Sequence, residues 1–137
     1  MHALDQLLAG DESHATFQDA IVLVIQTDYA QRRFVADLDL RIGDPNALDQ
    51  EERARRRRGR LIVENLRLWA LEAPDRTHRP SRGLLLKYAG PLSEAPTETG
   101  AMLAVTAGTT GFSWFLFFDD LKAFAYLAGD RAVFNWH

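Results

Sequence analysis

The sequence predicts an α+β fold that is predominantly antiparallel β-sheet, with a short N-terminal helix and one or two further helices. Residues 34–42 alternate between apolar and polar side chains, which is the pattern of a strand with one buried face. Residues 17–29 are rich in Ile and Val, and a short polar turn at residues 28–32 joins the two segments into a predicted hairpin. Apolar residues make up 47% of the chain, which is enough to form a core.

Two helices are predicted in the first half of the chain. Residues 2–9 carry three leucines at helical spacing and are followed by Gly10, a residue type that often terminates helices. Asp49 and Glu52 have the spacing of a capping box. Acidic residues followed by arginines suit the macrodipole of a helix that begins there and ends near Gly59.

Further strands are predicted in the second half of the chain. Residues 61–73 are dense in apolar side chains that fit a buried strand or a helical stripe. Their position between a glycine and a proline favours the strand. A second hairpin is predicted around a turn at residues 108–111. Its two strands, and two additional predicted strands, lie at residues 101–107, 112–118, 83–89 and 131–136. Residues 119–128 fit a helix as well as they fit a strand, so both alternatives stay open.

Size, charge and cysteine content limit the classes of function. A chain of 137 residues without repeats or linkers predicts one domain over residues 1–137. The absence of cysteine rules out disulfides and favours the cytoplasm. The first twenty residues lack the features of a signal peptide, and no apolar run is long enough to span a bilayer, so no membrane association is expected. A net charge of −3 argues against a general nucleic-acid binder.

A run of six arginines within residues 53–60 is the strongest charge feature of the sequence. Guanidinium groups bind phosphate oxygens well, so Arg56 and Arg57 are candidate binding residues of a nucleic-acid accessory protein. On the predicted helix, however, Glu51 and Glu52 lie four residues before arginines, at the spacing of ion pairs. A solvated helix face with internal ion pairs is therefore the favoured interpretation of the run.

Aromatic residues are concentrated in the last quarter of the chain. Residues 112–118, FSWFLFF, are apolar on both faces of a predicted strand, so both faces need a cover. Four aromatic residues are therefore candidate contacts with a protein partner or with a second copy in a dimer: Trp114, Phe117, Tyr126 and Trp136. The same residues suggest an alternative, a cup-shaped sheet whose pocket binds or converts a small molecule with Tyr88, His78 or Asp37.

No catalytic, metal-binding or cofactor-binding motif is present in the sequence. Glycine-rich phosphate loops, the G-x-S-x-G nucleophile motif and the H-E-x-x-H zinc motif are all missing. The four histidines lack the spacing of metal ligands. Asp37 and Asp39 project from one face of a strand and could bind a cation, but alternation on a half-buried strand explains them without one. The sequence therefore favours a non-enzymatic protein without metal or cofactor.

Residues 17–42 also resemble a known group of proteins. The segment opens with F-x-D-A at residues 17–20 and continues as an apolar strand, a short turn and a second, alternating strand. This arrangement is similar to the opening of small uncharacterised bacterial β-rich domains, some of which are grouped with immunity proteins. The resemblance implies a protein that binds another protein without catalysis, and it points to Phe17 and Asp19. A protein-binding module is the function that the sequence predicts.

Overall fold

Strands form most of the secondary structure. The computed structural model of the chain describes residues 3–8, 12–73, 83–108 and 110–137. These residues contain eight strands: β1 (Thr16–Asp28), β2 (Arg33–Arg41), β3 (Arg56–Glu64), β4 (Leu68–Leu71), β5 (Leu84–Pro91), β6 (Phe112–Phe118), β7 (Ala123–Gly129) and β8 (Arg131–Trp136). They also contain two α-helices, α1 (Gln50–Arg53) and α2 (Glu98–Ala107), and two 3-10 helices, Ala3–Leu8 and Leu92–Glu94.

All neighbouring strands in the sheet are antiparallel. Their order is β4-β7-β6-β5-β1-β2-β3-β8, which confirms the predicted predominance of antiparallel sheet. The predicted N-terminal helix is corrected to the 3-10 helix Ala3–Leu8, which buries Leu4 and Leu8 in the core. The carboxylate of Asp5 accepts a hydrogen bond from the N–H of Phe17 at 2.8 Å, so this segment is shaped by its contact with β1.

The sheet closes on itself, because each strand at an end of this order continues a strand near the other end: β4 follows β3 along the chain, and β8 follows β7. Three residues separate β3 from β4, and one residue separates β7 from β8. The continuous segment β3–β4 therefore runs antiparallel to the continuous segment β7–β8. Two hydrogen bonds carry this pairing across the junction, one from Asp130 N to Glu64 O at 3.0 Å and one from Arg67 N to Ala128 O at 2.8 Å.

Alternation along the strands divides the closed sheet into an inner and an outer face. In β2, Phe34, Ala36, Leu38 and Leu40 are buried on the inner face, and the residues between them point outward. This strand pairs with β1 through the turn that follows Asp28. The hairpin predicted from the alternating pattern is thus confirmed.

Helix α1 is much shorter than the sequence predicted. Its N-cap is Asp49, whose carboxylate accepts a hydrogen bond from the N–H of Glu51 at 3.0 Å. The helix ends at Arg53 and β3 begins at Arg56, so the prediction of a helix that continues to Gly59 is wrong. Every residue of β3 pairs with β2, and this pairing outweighs the helix preference of the arginines.

Residues 101–107 belong to helix α2, so the prediction of a strand there is wrong. Thr97 caps the helix by accepting a hydrogen bond from the N–H of Gly100 at 3.0 Å. Ala, Met, Leu and Glu make up most of the helix and outweigh its Val and Thr residues. Gly108 ends the helix with a φ of +79°, and β6 pairs with β7 instead of forming the predicted hairpin with residues 101–107.

The two alternatives for residues 119–128 are resolved in favour of a strand. A turn that contains Lys122, with a φ of +48°, leads from β6 into β7. The strand predicted at residues 61–73 is confirmed in its two halves, β3 and β4, which are separated by Asn65 with a φ of +51°. The strands predicted where β5, β6 and β8 lie are also confirmed. His78 and residue 109 of the predicted turn lie outside the described residues.

Helix α2 and the 3-10 helix Leu92–Glu94 cover part of the outer face of the sheet. Beneath them, Leu92, Phe115 and Tyr126 form a second apolar cluster, outside the main core. The outer face of β2 and β3, in contrast, carries aspartates and arginines. The molecule therefore has two outer faces of different chemistry.

Candidate functional site

The interior of the closed sheet is filled with apolar side chains. Fourteen apolar residues surround its centre, among them Phe17, Phe34, Trp69, Phe112 and Phe118. The cavity that remains between them has a volume of about 30 Å³. That volume holds a water molecule or two and is far below the size of a ligand pocket.

Neither Tyr88 nor Asp37 lines this interior, although the small-molecule alternative places both in a pocket. Asp37 lies on the outer side of β2, and the ring of Tyr88 contacts other aromatic rings on the outer side of β5 and β6. A filled interior with these side chains outside it argues against a cup-shaped binding site.

The arginine run lies largely on β3, where Arg56, Arg58 and Arg60 point to the outer face. Asp37 and Asp39 point to the same face from β2. Arg60 Nε donates to Asp37 Oδ1 at 2.8 Å, and Arg56 Nε lies 3.3 Å from Asp39 Oδ2. The aspartates on β2 and the arginines on β3 both occupy every second position, so they project from the same face of neighbouring strands. This arrangement allows cross-strand ion pairs to form.

The partners of the run are mostly different from the predicted ones. Glu52 does pair with an arginine, with its carboxylate 3.0 Å from Nη1 of Arg55. Within the described part of the chain, the guanidinium groups of Arg53 and Arg58 have no hydrogen-bond or ion-pair partner. Two separate free cations on different elements do not make the continuous basic groove that nucleic acids require.

A bulge in β1 supplies an acidic residue where two arginines would otherwise oppose each other. Arg41 and Arg56 are direct cross-strand neighbours. Asp19 lies in the bulge with a φ of +63°, a conformation that Asp tolerates better than most residues. Its Oδ2 accepts a hydrogen bond from Arg41 Nη1 at 3.1 Å, and its carbonyl accepts one from Arg56 Nη2 at 3.0 Å. Asp19, to which the resemblance points, therefore holds the bulge against β2 and β3.

Asp37 and Asp39 bind separate arginines and do not form an acid pair. The hydrogen bond from Arg60, together with the positive charges of Arg60 and His137, lowers the pKa of Asp37. The carbonyl of Asp39 accepts a hydrogen bond from Arg56 Nη2 at 2.7 Å. The buried Nε of Arg56 is close to the Asp39 carboxylate but is not aligned for a hydrogen bond. Both aspartates thus serve cross-strand pairing on the outer face.

Arg57 and Trp136 lie together at one end of the closed sheet. The guanidinium carbon of Arg57 is 5.3 Å from the ring centre of Trp136, within cation–π distance. Nη1 of Arg57 is 3.1 Å from Glu12 Oε1, and its Nε donates to the carbonyl of His137 at 3.1 Å. The ring of Trp136 also packs edge-on against Phe134. Contacts within the chain thus occupy both candidate residues.

The other three aromatic candidates lie in different environments. Trp114 is half-buried and packs against the main core, with its ring 6.2 Å from that of Phe112. Tyr126 is fully buried beneath α2. Phe117 is half-buried on the outer face, where its ring stacks on Tyr88 at 5.1 Å. The sequence pattern grouped these residues, but the closed sheet does not bring them into one site.

Tyr126 is the centre of a buried hydrogen-bond network that joins three elements. Its hydroxyl donates to Oε1 of Glu72, which follows β4, and lies 2.6 Å from Oγ1 of Thr97, the N-cap of α2. Burial and the hydrogen bond to Glu72 raise the pKa of Tyr126 to about 12. A phenol held neutral in this way acts as a structural hydrogen-bond donor at neutral pH. Sequence reasoning missed Glu72 and Thr97, because no local pattern brings them near Tyr126.

Three aromatic rings form a ledge on the outer face of β5, β6 and β7. This aromatic ledge consists of Tyr88, Phe117 and Phe124. The ring centres of Phe117 and Phe124 are 4.8 Å apart. Tyr88 is 45% exposed, and its hydroxyl has no partner among the described residues. A row of rings at the surface is a common feature of protein-binding sites.

Helix α2 adjoins the aromatic ledge and carries apolar residues on both of its sides, with Glu98, Thr99 and Thr106 also exposed on the outer one. Leu103 and Ala104 pack inward on the same buried cluster that Phe124 contacts. On the outer side, Met102 is 71% exposed and Val105 is 87% exposed. Exposed apolar side chains next to a row of aromatic rings are typical of an interaction site. The aromatic ledge and the outer side of α2 together are the candidate binding surface.

In the part of the chain that the structure describes, no group of His, Asp and Glu side chains is placed to hold a metal ion. Among the same residues, no helix combines the length and the apolar character needed to cross a membrane. Comparison with known proteins finds no match, whether with a family model, a curated protein or a solved structure. The resemblance of residues 17–42 to immunity-protein domains therefore stays a prediction.

Proposed function

We propose that the protein is a non-enzymatic protein-binding module whose binding surface is the aromatic ledge together with the outer side of α2. The observation that supports this most directly is the exposure of Met102 and Val105 on a helix whose other side is already buried. Covering an apolar side chain of this kind contributes roughly 1.5–3 kcal/mol. A partner on this surface would therefore gain a substantial free energy of association.

The contrast between the two outer faces also supports the proposal. On β2 and β3 most of the outward charges are paired within the chain, as in the pairs of Asp37 with Arg60 and of Asp39 with Arg56, and Arg58 is solvated. That face is stable in water without a partner. On the face formed by the aromatic ledge and α2, apolar side chains are left in contact with water, so this is the face that a partner would cover.

The two alternative functions have weaker support. A small-molecule site requires a pocket with converging polar groups, and the interior is filled. A surface groove of about 300 Å³ lies beside Tyr88 and Lys87, but its Asp5 carboxylate is already hydrogen-bonded to Thr16 and Phe17. A nucleic-acid accessory role requires a set of free arginines, and most of the run is paired with carboxylates. Binding to a protein also agrees with what the immunity-protein resemblance implies.

Affinity co-purification with three baits tests the proposal. The baits are the wild-type protein, Val105→Glu on the candidate surface and Arg58→Glu on β3 as a matched control at another exposed position. We expect the wild type and Arg58→Glu to retain the same protein in stoichiometric amount and Val105→Glu to lose it. Equal retention by all three baits, or retained nucleic acid that only Arg58→Glu loses, would contradict the proposal.

A further inference from the structure

We infer that the partner on the outer side of α2 is a second copy of this chain, with the two α2 helices packed antiparallel across a two-fold axis. The inference rests on the proposed function, for which it names the partner. A two-fold interface uses the same surface of both copies, so that surface must be complementary to itself. The charges and the shape of α2 meet this requirement.

The two ends of α2 carry opposite charges. Glu98, in the first turn, is the only ionisable residue of the helix, and its side chain has no partner among the described residues. Arg67 lies at the other end, where its Nη2 donates to the carbonyls of Thr110 and Gly129 and its Nε is 3.9 Å from Asp130 Oδ1. Its Nη1, which is 3.7 Å from the position a Cβ would take on Gly108, has no acceptor among the described residues. In an antiparallel pair, Glu98 of each copy approaches Arg67 of the other copy. Two equivalent ion pairs would form, which favours this orientation over the parallel one.

The outer side of α2 has no charge between these two ends. Ala101, Met102, Val105 and Thr106 are exposed there, and none of them carries a charge that would repel its own copy. The hydroxyl of Thr106 donates to the carbonyl of Met102, so it is already hydrogen-bonded within the helix. The small side chain of Ala101 allows two helices to approach to the usual 8–10 Å, and the flexible Met102 fits an irregular gap. The centre of the helix thus suits a self-complementary apolar seam.

The size of the surface indicates how the two copies extend their contact. A helix of ten residues is about 15 Å long. One such helix buries too little area alone, because a stable interface buries about 800 Å² on each partner. The aromatic ledge of Tyr88, Phe117 and Phe124 adjoins α2 and spans three neighbouring strands. An interface that combines one short helix with the aromatic ledge is small by this standard, so we expect weak association, with dissociation in roughly the micromolar range.

Sedimentation equilibrium of the purified protein tests the inference without any other partner present. We expect a monomer–dimer equilibrium for the wild type and at least about tenfold weaker association for Val105→Glu, which puts a charge into the seam. Glu98→Arg places a positive charge opposite Arg67 of the other copy and should weaken association roughly two- to fivefold. This weakening should be smaller at high salt, which screens the repulsion. Leu48→Glu changes a residue that is 99% exposed outside the candidate surface and should have no effect.

The absence of cysteine from the chain allows a direct test of the contact. Val105→Cys should be cross-linked to a covalent dimer by a short bis-maleimide, and Leu48→Cys should stay monomeric at the same concentration. A wild-type protein that remains monomeric at all concentrations, or a dimer that Val105→Glu does not weaken, would overturn the inference. If the wild type is monomeric but a different protein is captured through α2, the proposed function stands and only the second copy is rejected.

Discussion

Asp19 combines an uncommon backbone conformation with two arginine contacts, and these two features have separable energetic effects. The left-handed conformation at a φ of +63° disfavours a residue such as Ala, whereas Asn tolerates it as Asp does. The hydrogen bond from Arg41 to the carboxylate is charge-assisted. The amide oxygen of Asn can still accept it without the charge, whereas Ala has no acceptor. The carbonyl that Arg56 contacts remains in both.

The residue-scale prediction from Asp19 is a graded loss of stability. Asp19→Asn should lower the free energy of unfolding by about 1 kcal/mol through the lost charge, and Asp19→Ala by about 2 kcal/mol through charge and backbone strain. Urea unfolding followed by tryptophan fluorescence measures both. Equal losses for the two variants would show that the conformation of Asp19 contributes nothing.

Tyr126 gives the fold a dependence on alkaline pH. Its pKa is about 12 in the folded protein and 10.0 in the absence of structural effects. Because the folded pKa is raised, the protonated phenol contributes its full stabilisation below pH 10 and loses it as the pH rises through 12. The free energy of unfolding of the wild type should therefore fall across this interval.

Comparison with Tyr126→Phe isolates this effect. The variant lacks the hydroxyl and should be less stable than the wild type by about 1–2 kcal/mol at pH 7, because Glu72 loses a buried donor. The difference between the two proteins should shrink from pH 9 to pH 11 when urea midpoints are measured at each pH. A difference that stays constant over this range would mean that Tyr126 titrates equally in both states.

Helix α2 depends at its first turn on Thr97, which belongs both to the cap and to the Tyr126 network. Thr97→Ala removes the acceptor for the N–H of Gly100 and should lower the free energy of unfolding by about 1–2 kcal/mol. Hydrogen exchange of the α2 amides should accelerate more than that of β2. Thr97→Ser retains the hydroxyl and should restore most of the protection, whereas a Ser variant as unstable as the Ala variant would contradict a capping role.

The elements that the sequence predicted correctly are those with a local signal. Strand β2 follows from its own alternation, and the turn to β1 follows from the polar residues between them. The end of α1 at Arg53 has no local signal in the sequence. The helix ends there because the following residues form β3, whose arginines pair with Asp37 and Asp39 on the neighbouring strand β2. Helix α2 was mistaken for a strand because its apolar residues occupy both sides and hide the helical period.

The candidate surface could be predicted from the sequence only in part. Phe117 was selected from the density of aromatic residues and does lie on the aromatic ledge. Tyr88 comes from β5 and reaches the ledge only through strand pairing, which composition does not reveal. Met102 and Val105 were missed because exposure on α2 depends on which side of the helix packs against β7.

At the scale of the whole molecule, closure of the sheet separates a sealed interior from two outer faces. Closure pairs the β3–β4 segment with the β7–β8 segment, so the sheet has fewer of the open edges at which chains commonly associate. Association through an unpaired strand at the β3–β4 and β7–β8 junction is thus blocked by pairing within the chain. The apolar side chains exposed on α2 and the aromatic ledge are then the main surface for binding, and we expect a partner to contact these side chains in preference to backbone edges.

Hydrogen exchange at the junction tests closure directly. The amides of Arg67 and Asp130 donate across the junction at 2.8 and 3.0 Å, so in the wild type they should exchange about as slowly as amides in the centre of β2. Gly129→Ala would place a Cβ 2.4 Å from Cγ1 of Val63 and 2.9 Å from the carbonyl of Glu64, which forces the two segments apart. We expect this variant to lose about 1–3 kcal/mol of stability.

The variant should also show where the molecule opens. In Gly129→Ala, hydrogen exchange at Arg67 and Asp130 should accelerate by more than the global loss of stability explains. Amides hydrogen-bonded between β1 and β2 should accelerate only as much as the global loss requires. That difference arises because only the junction is strained. Fast exchange at Arg67 and Asp130 in the wild type itself would instead indicate an open sheet with two free edges, at which a partner could associate through its backbone.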